Sequence, residues 1–391
     1  MTRTADVVVI GAGVMGASAA YHLAACGCRS VLVLEQRGRA GLGSTGKAMG
    51  GFRGQFATEV CVRLSLLARE KLLRFHDELG VDPGYRPVGY LFMARTPGQL
   101  ETLRAAQTVQ RRAGLDAVRE VTPDDIRRLS PAVVSDRFIG GAFCPTDGYI
   151  APLEILRGYL AGAERLGVAV EYGAGEVTCL VDESDGGVRR MRGVNTRRGE
   201  VAARRVVNAA GPWAAAVART AGVEIPVVPT RRQVAISHPC SLPADTPMTI
   251  DVDDGVHYRV RDGRVVWMWP VDTPADDPFD TTFDPRWLGA LLPRAYALAP
   301  GLRDAGIDPN ACLCGLYEMS PDKHAILGPA PGVEGLYLIN GSSGHGVMHS
   351  AALGQLLAEI IVDGHARSVD VRALRASRFV EGEPNFETGV L

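Results

Sequence analysis

The sequence predicts an α/β fold in which a Rossmann-type nucleotide-binding domain is joined to a β-rich α+β domain. The first observation is the segment DVVVIGAGVMGASAAYHLAACGCRSVLVLEQ at residues 6–36, which follows the order strand, glycine turn, helix, strand. The second is another glycine turn, NGSSGHG at residues 340–346, which also precedes a helix. The third is the stretch 223–321, which is rich in strand-forming and aromatic residues. A chain of 391 residues is long enough for two domains of ordinary size.

The N-terminal unit has the glycine pattern of a dinucleotide site. Gly11, Gly13 and Gly16 form G-x-G-x-x-G between the first strand and the first helix. Gly11 permits the turn, Gly13 lets a pyrophosphate approach the helix N-terminus, and Gly16 lets helix and strand pack closely. Glu35 ends the second strand, where an acid accepts hydrogen bonds from the ribose hydroxyls and argues against NADP. The predicted site also contains the adjoining Val14, Met15 and Gln36.

The remaining chain alternates helices and strands. Apolar periodicity predicts further helices over residues 57–79, 97–114, 123–130 and 152–166. Pro212 predicts the start of another helix, because proline is favoured at a first helical position. A simple NAD site needs no second glycine turn like NGSSGHG, so the sequence favours a cofactor long enough to span several elements.

Composition argues against several classes of protein. The formal net charge is -2 and the sequence pI is about 6.5, so no basic bias favours nucleic acid. No signal peptide is visible, and no apolar run reaches the roughly 18 residues of a spanning helix, which predicts a cytoplasmic protein, free or peripheral to a membrane. The eight cysteines contain no C-x-x-C pair, so no zinc or other metal site is expected.

Six motifs give the chain a resemblance to a known family over nearly its whole length. They are VVVIGAGVMGASAAYHLA, GSTGKAMGGFRGQF, DGYIAP, VVNAAGPWA, GLYEMSPDKHAILGP and GSSGHGVMHSAALGQLLAE. The chain resembles the flavoprotein amine and amino-acid oxidoreductases grouped with D-amino-acid oxidase. It is most similar to the branch that contains sarcosine oxidase, glycine oxidase, dimethylglycine dehydrogenase and archaeal proline dehydrogenase. The motifs are typical of the family and do not indicate one substrate.

The resemblance implies FAD in an extended conformation, bound by a discontinuous domain. The FAD-binding domain would comprise residues 1–84, 142–222 and 322–375, the substrate domain residues 85–141 and 223–321, and a C-terminal tail residues 376–391. The helix after GSSGHG would point its N-terminus at the isoalloxazine, where the dipole stabilises an anionic reduced flavin. The cofactor contacts implied beyond the first fingerprint are Ser44, Thr45, Val177, Ala210, Gly211, Gly344, His345, Gly346, Val347 and Met348.

Non-covalent attachment of FAD is expected from one departure from the family pattern. Some sarcosine oxidases attach FAD through a cysteine two residues before a substrate-facing tyrosine. That position is Gly315 here, and Cys314 lies one residue earlier. The tyrosine itself is Tyr317, for which a core position is the alternative.

Arg53 is the candidate substrate-binding residue. It lies in the glycine-rich loop GSTGKAMGGFRGQF, where a buried guanidinium needs an anionic partner. In relatives of the sarcosine oxidase type an arginine here binds the substrate carboxylate, and the resemblance implies the same for Arg53. A flavin phosphate and a structural ion pair are the alternatives. Because Met348 replaces a carboxylate-binding lysine of relatives, Tyr258 or Arg259 is expected to assist Arg53.

The expected oxidant depends on Trp267. It aligns at or near the lysine that activates oxygen in oxidases of this branch. Tryptophan cannot stabilise developing superoxide electrostatically, so slow reaction with oxygen is expected. The alternative is that Trp267 and Trp269 alternate on a strand that packs a core.

Together these features predict FAD-dependent oxidation of a small amino acid, or of a secondary or N-methylated amine, to an imine by hydride transfer to flavin N5. A dehydrogenase is favoured over an oxidase, and no acid–base residue is predicted. The electron acceptor (a quinone, an electron-transfer protein or oxygen) and a homo- or hetero-oligomeric state stay open. One alternative is oxidation of a 2-hydroxy acid or polyol phosphate on the same fold. The other is a non-catalytic role as an assembly factor or as a subunit of an electron-transfer complex.

Overall fold

The computed structural model describes residues 3–183 and 188–385. Residues 1, 2 and 184–187, which the sequence assigns to the FAD-binding domain, lie outside the described residues, as do residues 386–391 of the predicted tail. Within the described ranges, no helix combines the length and the apolar character needed to cross a membrane.

The described residues form eight α-helices and 20 strands. The helices are α1 (Val14–Ala25), α2 (Glu59–Leu79), α3 (Pro97–Arg112), α4 (Pro123–Leu129), α5 (Pro152–Arg165), α6 (Ala214–Thr220), α7 (Trp287–Leu298) and α8 (Gly346–Asp363). The strands are β1 (Arg3–Thr4), β2 (Val7–Ile10), β3 (Val31–Glu35), β4 (Gly51–Phe52), β5 (Tyr90–Ala94), β6 (Arg119–Val121), β7 (Gly140–Cys144), β8 (Gly148–Tyr149), β9 (Ala169–Tyr172), β10 (Thr178–Glu183), β11 (Arg189–Thr196), β12 (Gly199–Ala202), β13 (Val206–Asn208), β14 (Val228–Pro239), β15 (Met248–Asp251), β16 (His257–Arg261), β17 (Arg264–Met268), β18 (Leu313–Met319), β19 (Ile326–Pro329) and β20 (Leu336–Asn340).

A six-stranded sheet with the order β19-β20-β13-β2-β3-β9 forms the nucleotide-binding core. Its strands are parallel except for β19, which pairs antiparallel with β20. Every residue of β2 is buried, as expected for a parallel strand covered on both faces. Helices α1, α2, α5 and α8 pack on one face, and α6 and the four-stranded sheet β1-β12-β11-β10 pack on the other.

The turn after β2 requires glycine for two separate reasons. Gly11 has φ +106°, and a Cβ added there would lie 2.5 Å from the Ala209 carbonyl oxygen. A Cβ added at Gly16 would lie 1.9 Å from the Gly11 carbonyl oxygen. The turn and the close packing of α1 against β2 therefore follow from the sequence, as predicted.

Helices α1 and α8 lie in close contact. A Cβ on Gly354 would lie 2.2 Å from Ser18 Oγ, and that hydroxyl donates to the Ser350 carbonyl oxygen at 2.8 Å. This contact joins positions 332 residues apart in the chain. The N-terminal unit and the final helix thus form one layer.

The second large sheet has eight strands of mixed direction in the order β18-β14-β17-β16-β15-β5-β7-β6. Helices α4 and α7 cover one of its faces. The opposite face turns Phe92, Met248, Met268 and Tyr317 toward the glycine-rich segment before α2. A large cavity lies between that face and the six-stranded sheet.

The predicted α/β fold class is confirmed, with differences in detail. The helix predicted over 57–79 begins two residues later, and Gly80 ends it with φ +72°. Helix α7 was not predicted within the β-rich stretch 223–321, where Pro293 in its interior obscures the helical pattern. The two-domain division stays a prediction, and β7, which pairs with β5 and β6, crosses its boundary at residue 142.

Candidate active site

A cavity of about 920 Å³ lies between the two large sheets. It runs from the glycine turn of β2 to the inner face of the eight-stranded sheet. Most of the predicted cofactor residues line it: Gly11, Gly13, Val14, Met15, Glu35, Gln36, Ser44, Thr45, Val177, Ala210, Gly211, Gly344, His345, Gly346, Val347 and Met348. Gly16 does not line the cavity, because it packs against the backbone of Gly11.

Several polar atoms along this cavity are buried and have no hydrogen-bond partner among the described residues. They are Ser44 Oγ, Ser342 Oγ and Glu318 Oε2. The N-termini of α1 and α8 also face the cavity, and no side chain of their N-cap residues, Gly13 and His345, caps them. Such a set of unsatisfied groups indicates an elongated polar ligand with several hydrogen-bonding atoms.

Glu318 is an acidic residue of the cavity wall, and its carboxylate is buried. Its Oε1 accepts from the Ser342 amide at 3.3 Å, and its Oε2 lies 3.9 Å from the position that a Cβ on Gly211 would take. Burial raises the pKa of Glu318 to about 7. No function is predicted from the sequence for this residue, which lies between the predicted Gly211 turn and the GSSGHG loop.

Arg53 also lines the cavity, with 8% of its surface exposed. Its Nη1 donates to the Gln55 carbonyl oxygen at 2.6 Å, and its Nη2 lies 3.1 Å from His345 Nε2. The guanidinium carbon lies 4.0 Å from the ring centre of Phe56 and 5.7 Å from that of Phe92. The aromatic rings and the two acceptors fix the guanidinium plane at the edge of the cavity.

Asp147 supports the loop that carries Arg53. Its Oδ1 accepts from the Gly54 amide at 2.7 Å and its Oδ2 from Gln55 Nε2 at 3.0 Å. Burial raises the pKa of Asp147 to about 6, although these hydrogen bonds and Arg53 act in the opposite direction. Asp147 belongs to the DGYIAP motif, and no function was predicted for it from the sequence.

Three further side chains of the eight-stranded sheet face the region beside Arg53. The Tyr317 ring packs against Gly344, where an added Cβ would lie 2.3 Å from Cε2, and the Tyr317 hydroxyl donates to Met268 Sδ at 3.5 Å. The Tyr90 hydroxyl abuts Gly51, where an added Cβ would lie 1.9 Å away. His257 completes the set.

His257 has a defined hydrogen-bonding state. Its Nδ1 lies 2.8 Å from the Gly255 carbonyl oxygen. A carbonyl only accepts, so Nδ1 carries the proton and Nε2 presents a lone pair. Burial, opposed by that backbone hydrogen bond and aided by the charge of Arg53, lowers the pKa of His257. His257 is therefore a neutral acceptor on the cavity wall, and the sequence signal that could have found it is its place on the same strand face as Arg259.

A family model described as FAD dependent oxidoreductase, DAO, matches residues 6–360. The chain is a member of the DAO family of FAD-dependent oxidoreductases. It is 28% identical over 375 residues to mitochondrial sarcosine dehydrogenase of Homo sapiens, with 93% of this chain and 40% of that protein covered. It is 29% identical over 385 residues to mitochondrial dimethylglycine dehydrogenase of Homo sapiens, with 92% and 43% covered. The chain thus spans less than half the length of these relatives.

A solved structure supports the same family assignment. The chain superposes on L-proline dehydrogenase from P. horikoshii with a TM-score of 0.88 and 25% identity, covering 98% of this chain and 100% of that one. Both the DAO-family resemblance predicted from the six motifs and the FAD-dependent class of the protein are confirmed.

The residues of the cavity fit the FAD of the DAO family. The two helix N-termini favour anionic or partly negative groups, and the buried Ser44 and Ser342 hydroxyls need partners. Thr45 Oγ1 accepts from the Val14 amide at 3.1 Å, so this side chain lies directly at the N-terminus of α1. Glu35 Oε2 accepts from the Ala12 amide at 3.0 Å, which holds the carboxylate at the edge of the fingerprint.

Two residues expected near the substrate lie elsewhere. The Tyr258 ring packs against Trp267 in the core under the sheet, and its hydroxyl is 2.6 Å from Ser130 Oγ. Arg259 donates through Nη1 to the carbonyl oxygens of Met49 and Gly50, and this backbone separates it from the large cavity. The structure does not support the expectation that either side chain assists Arg53 directly. Strand alternation turns Tyr258 to the opposite face of the sheet, and the backbone of Met49 and Gly50 lies between Arg259 and the cavity.

Trp267 also lies away from the cavity. It is fully buried among the residues that α7 covers, and the neighbouring Met268 lines the cavity in its place. Trp267 therefore packs in a core, which is the alternative stated for it from the sequence. Two lysines, Lys47 and Lys323, line other parts of the cavity wall.

Proposed function

We propose that this DAO-family protein oxidises the amine of a small amino acid to an imine, with secondary and N-methylated amines as the first substrates to test. The observation that carries the proposal is the buried Arg53 guanidinium, held in a fixed plane between two acceptors and the Phe56 and Phe92 rings at the edge of the FAD cavity. A planar fork in this position suits two-point binding of a carboxylate. The names of the similar dehydrogenases support amino-acid substrates.

Binding through Arg53 would orient the substrate by its carboxylate. Tyr90 and Tyr317 also line the cavity, and their hydroxyls would be the next groups to contact the carboxylate or the amine. The apolar side chains of Phe92, Met248 and Met268 would exclude water from the reacting carbon. Holding the substrate in one orientation is the main contribution that these residues make to the rate.

His257 would accept the proton that the amine must lose. An amino acid enters mainly as the ammonium form, which has no lone pair to form a carbon–nitrogen double bond. Nε2 of the neutral His257 is an available acceptor, since Nδ1 is committed to Gly255. When bound, FAD supplies the two-electron acceptor for the hydride from the α-carbon. The nitrogen proton passes to His257 Nε2, and the imine product is then hydrolysed by water.

We also propose that electrons leave to an acceptor other than oxygen. Met268, the residue of β17 that lines the cavity beside Trp267, is uncharged and cannot stabilise developing superoxide electrostatically. The similar sarcosine, dimethylglycine and proline enzymes are named dehydrogenases.

An anaerobic substrate screen tests the proposal. Purified FAD-loaded protein is mixed with sarcosine, dimethylglycine, proline, glycine and both alanine enantiomers, and loss of the oxidised flavin absorbance is followed. We expect at least one amine substrate to bleach the flavin. Bleaching by lactate or glycerol 3-phosphate, with no response to any amine, would replace the proposal with the hydroxy-acid or polyol-phosphate alternative. No bleaching by any compound would favour a non-catalytic role.

A further inference from the structure

A second cavity, of about 430 Å³, lies on the other side of the glycine-rich segment from the cofactor cavity. Thr45, Ala48 and Met49 line both cavities and form the wall between them. The remaining wall comes from the start of α5, from Tyr149 in β8 and from the end of β16. A volume of this size is within the range of small-molecule sites.

Two arginines on one face of β16 line this cavity. Arg259 and Arg261 are two positions apart, so their side chains leave the strand on the same side. Arg259 has 6% of its surface exposed, and its guanidinium carbon lies 3.7 Å from the ring centre of Tyr149. Its Nη1 donates to two backbone carbonyl oxygens, of Met49 and Gly50, which satisfy hydrogen bonds but carry no formal charge.

Neither arginine forms an ion pair with a carboxylate of the described residues, although the charge of Asp262 acts on both. Among residues 3–183 and 188–385, no carboxylate oxygen lies within 4.0 Å of a guanidinium nitrogen of Arg259 or Arg261. Burial lowers the pKa of Arg259 to about 10 and also lowers that of Arg261, because the charged forms lose hydration. A bound anion would remove this cost.

Other charges on the cavity wall are already paired or exposed. Arg86 contacts Asp82 at 2.8 Å, and Glu154 pairs with Arg157. Asp262 is exposed in the turn after β16. The N-terminus of α5 also lines the cavity, and its N-cap, Ala151, provides no side-chain cap. The local field therefore favours an anion.

We propose that this second cavity binds a small molecule that carries a phosphate monoester, with the phosphate held by Arg259 and Arg261. Two guanidiniums present two planar sets of donors, which the three oxygens of a phosphate monoester can satisfy together and the two oxygens of a single carboxylate cannot. The Tyr149, Ile150 and Pro152 side chains form an apolar wall for the rest of the ligand. The site is separate from Arg53 and does not depend on the proposed amine oxidation.

Calorimetric titration of the FAD-loaded protein with ribose 5-phosphate and with inorganic phosphate tests the proposal. In the FAD-loaded protein the cofactor fills the pyrophosphate-binding part of the first cavity, and Arg53 is the anion-binding group there that a control variant must exclude. We expect both probes to bind at constant ionic strength and acetate to bind at least about 10-fold more weakly. Arg261→Gln should weaken binding of both probes by about 10-fold or more, as the loss of one charge-assisted hydrogen bond predicts.

Matched variants separate this site from others. Arg286→Gln removes an exposed arginine outside both cavities and should leave the affinity unchanged. Arg53→Lys should also leave it unchanged, whereas dependence on Arg53 would place the probe in the first cavity and overturn the proposal. Arg259→Gln should abolish binding, but its backbone contacts make Arg261→Gln the decisive variant if the former does not fold. Equal affinity of wild type and Arg261→Gln would also overturn the proposal. Absence of binding of either probe at about 10 mM would overturn it too, and would favour an acidic side chain of a partner protein as the occupant of the cavity.

Discussion

Arg53 Nη2 lies 3.1 Å from His345 Nε2. Guanidinium nitrogens only donate, so Nε2 is the acceptor and His345 carries its proton on Nδ1. Burial, together with the neighbouring charge of Arg53, holds the pKa of His345 well below its ordinary value. A residue of the GSSGHG loop thus orients the arginine that we propose to bind substrate.

Arg53→Lys should retain FAD and lose flavin reduction by substrate. One charge-assisted hydrogen bond to a desolvated carboxylate contributes roughly 1.5–3 kcal/mol, so its loss weakens binding by about 10- to 150-fold. Lysine keeps the charge but not the planar fork, so the reduction rate should fall as well. Anaerobic stopped-flow reduction at several substrate concentrations measures both effects. A substrate amine without a carboxylate is the control and should be nearly unaffected. Loss of FAD from the variant would show instead that Arg53 serves the cofactor.

His257→Asn should slow flavin reduction by about 100- to 10,000-fold at neutral pH, the usual contribution of general base catalysis. Asparagine can preserve a hydrogen bond but cannot take up a proton. Above the lowered pKa of His257 the wild-type rate should vary little with pH. The variant rate should instead rise with pH as the substrate ammonium ionises in solution. Parallel pH profiles in stopped-flow reduction would show that His257 does not accept the proton.

Glu318→Gln should change the pH dependence of the stability of the FAD-free protein. Burial raises the pKa of Glu318 from 4.5 to about 7, so the folded state favours the protonated form. The contribution of Glu318 to the free energy of unfolding is fully present below about pH 4.5 and decreases as the pH rises to about 7. Above that pH no further change from Glu318 is expected. At 1.36 kcal/mol per pKa unit the total change is about 3 kcal/mol.

Urea unfolding of both proteins at pH 4.5, 6 and 8 measures this change. The difference between wild type and variant isolates Glu318, because the other titrating groups are common to both. Relative to the variant, the wild type should lose stability across this range. A constant difference at the three pH values would show that Glu318 does not titrate there.

Reduced protein should reoxidise slowly in air and rapidly with a dye or quinone. Stopped-flow reoxidation measures both rates. Lys47→Met and Lys323→Met are matched variants, since both lysines line the cavity. If wild type reacts with oxygen as fast as with the dye and one variant does not, that lysine stabilises superoxide and the dehydrogenase proposal is wrong.

Acid precipitation should release all FAD into the supernatant. Gly315 has no nucleophile, and Cys314 is buried outside the cavity, where burial raises the pKa of its thiol and disfavours the thiolate. Mass spectrometry of the denatured chain should give the unmodified mass, with Cys314→Ala as the control. A mass increased by one flavin in wild type and not in the control would establish attachment at Cys314.

The sequence was most informative where backbone geometry is fixed by residue type. Gly11 and Gly16 occupy positions that a Cβ would block, and the motif therefore predicts the turn, the helix and the cofactor end of the cavity. It was less informative for β16 and β17, because both faces of these strands are buried. Alternation alone does not then tell which face meets the cavity, and an alignment that places Trp267 only at or near the lysine position does not tell it either. His257 and Met268 line the cavity where Tyr258 and Trp267 were expected.

The parallel pairing of β2 with β13, and the contact of α1 with α8, delay completion of the fold during synthesis. Ser18 meets its partner only after 332 further residues have been made. At bacterial to eukaryotic elongation rates of roughly 5–20 residues per second, that interval is roughly 17 to 66 s. Early in this interval β2 has only β3 as a sheet neighbour, and the face of α1 that α8 covers stays open until the end. Transiently exposed apolar surface favours aggregation, so the uncovered face of α1 is a hazard to the nascent chain until α8 has been made.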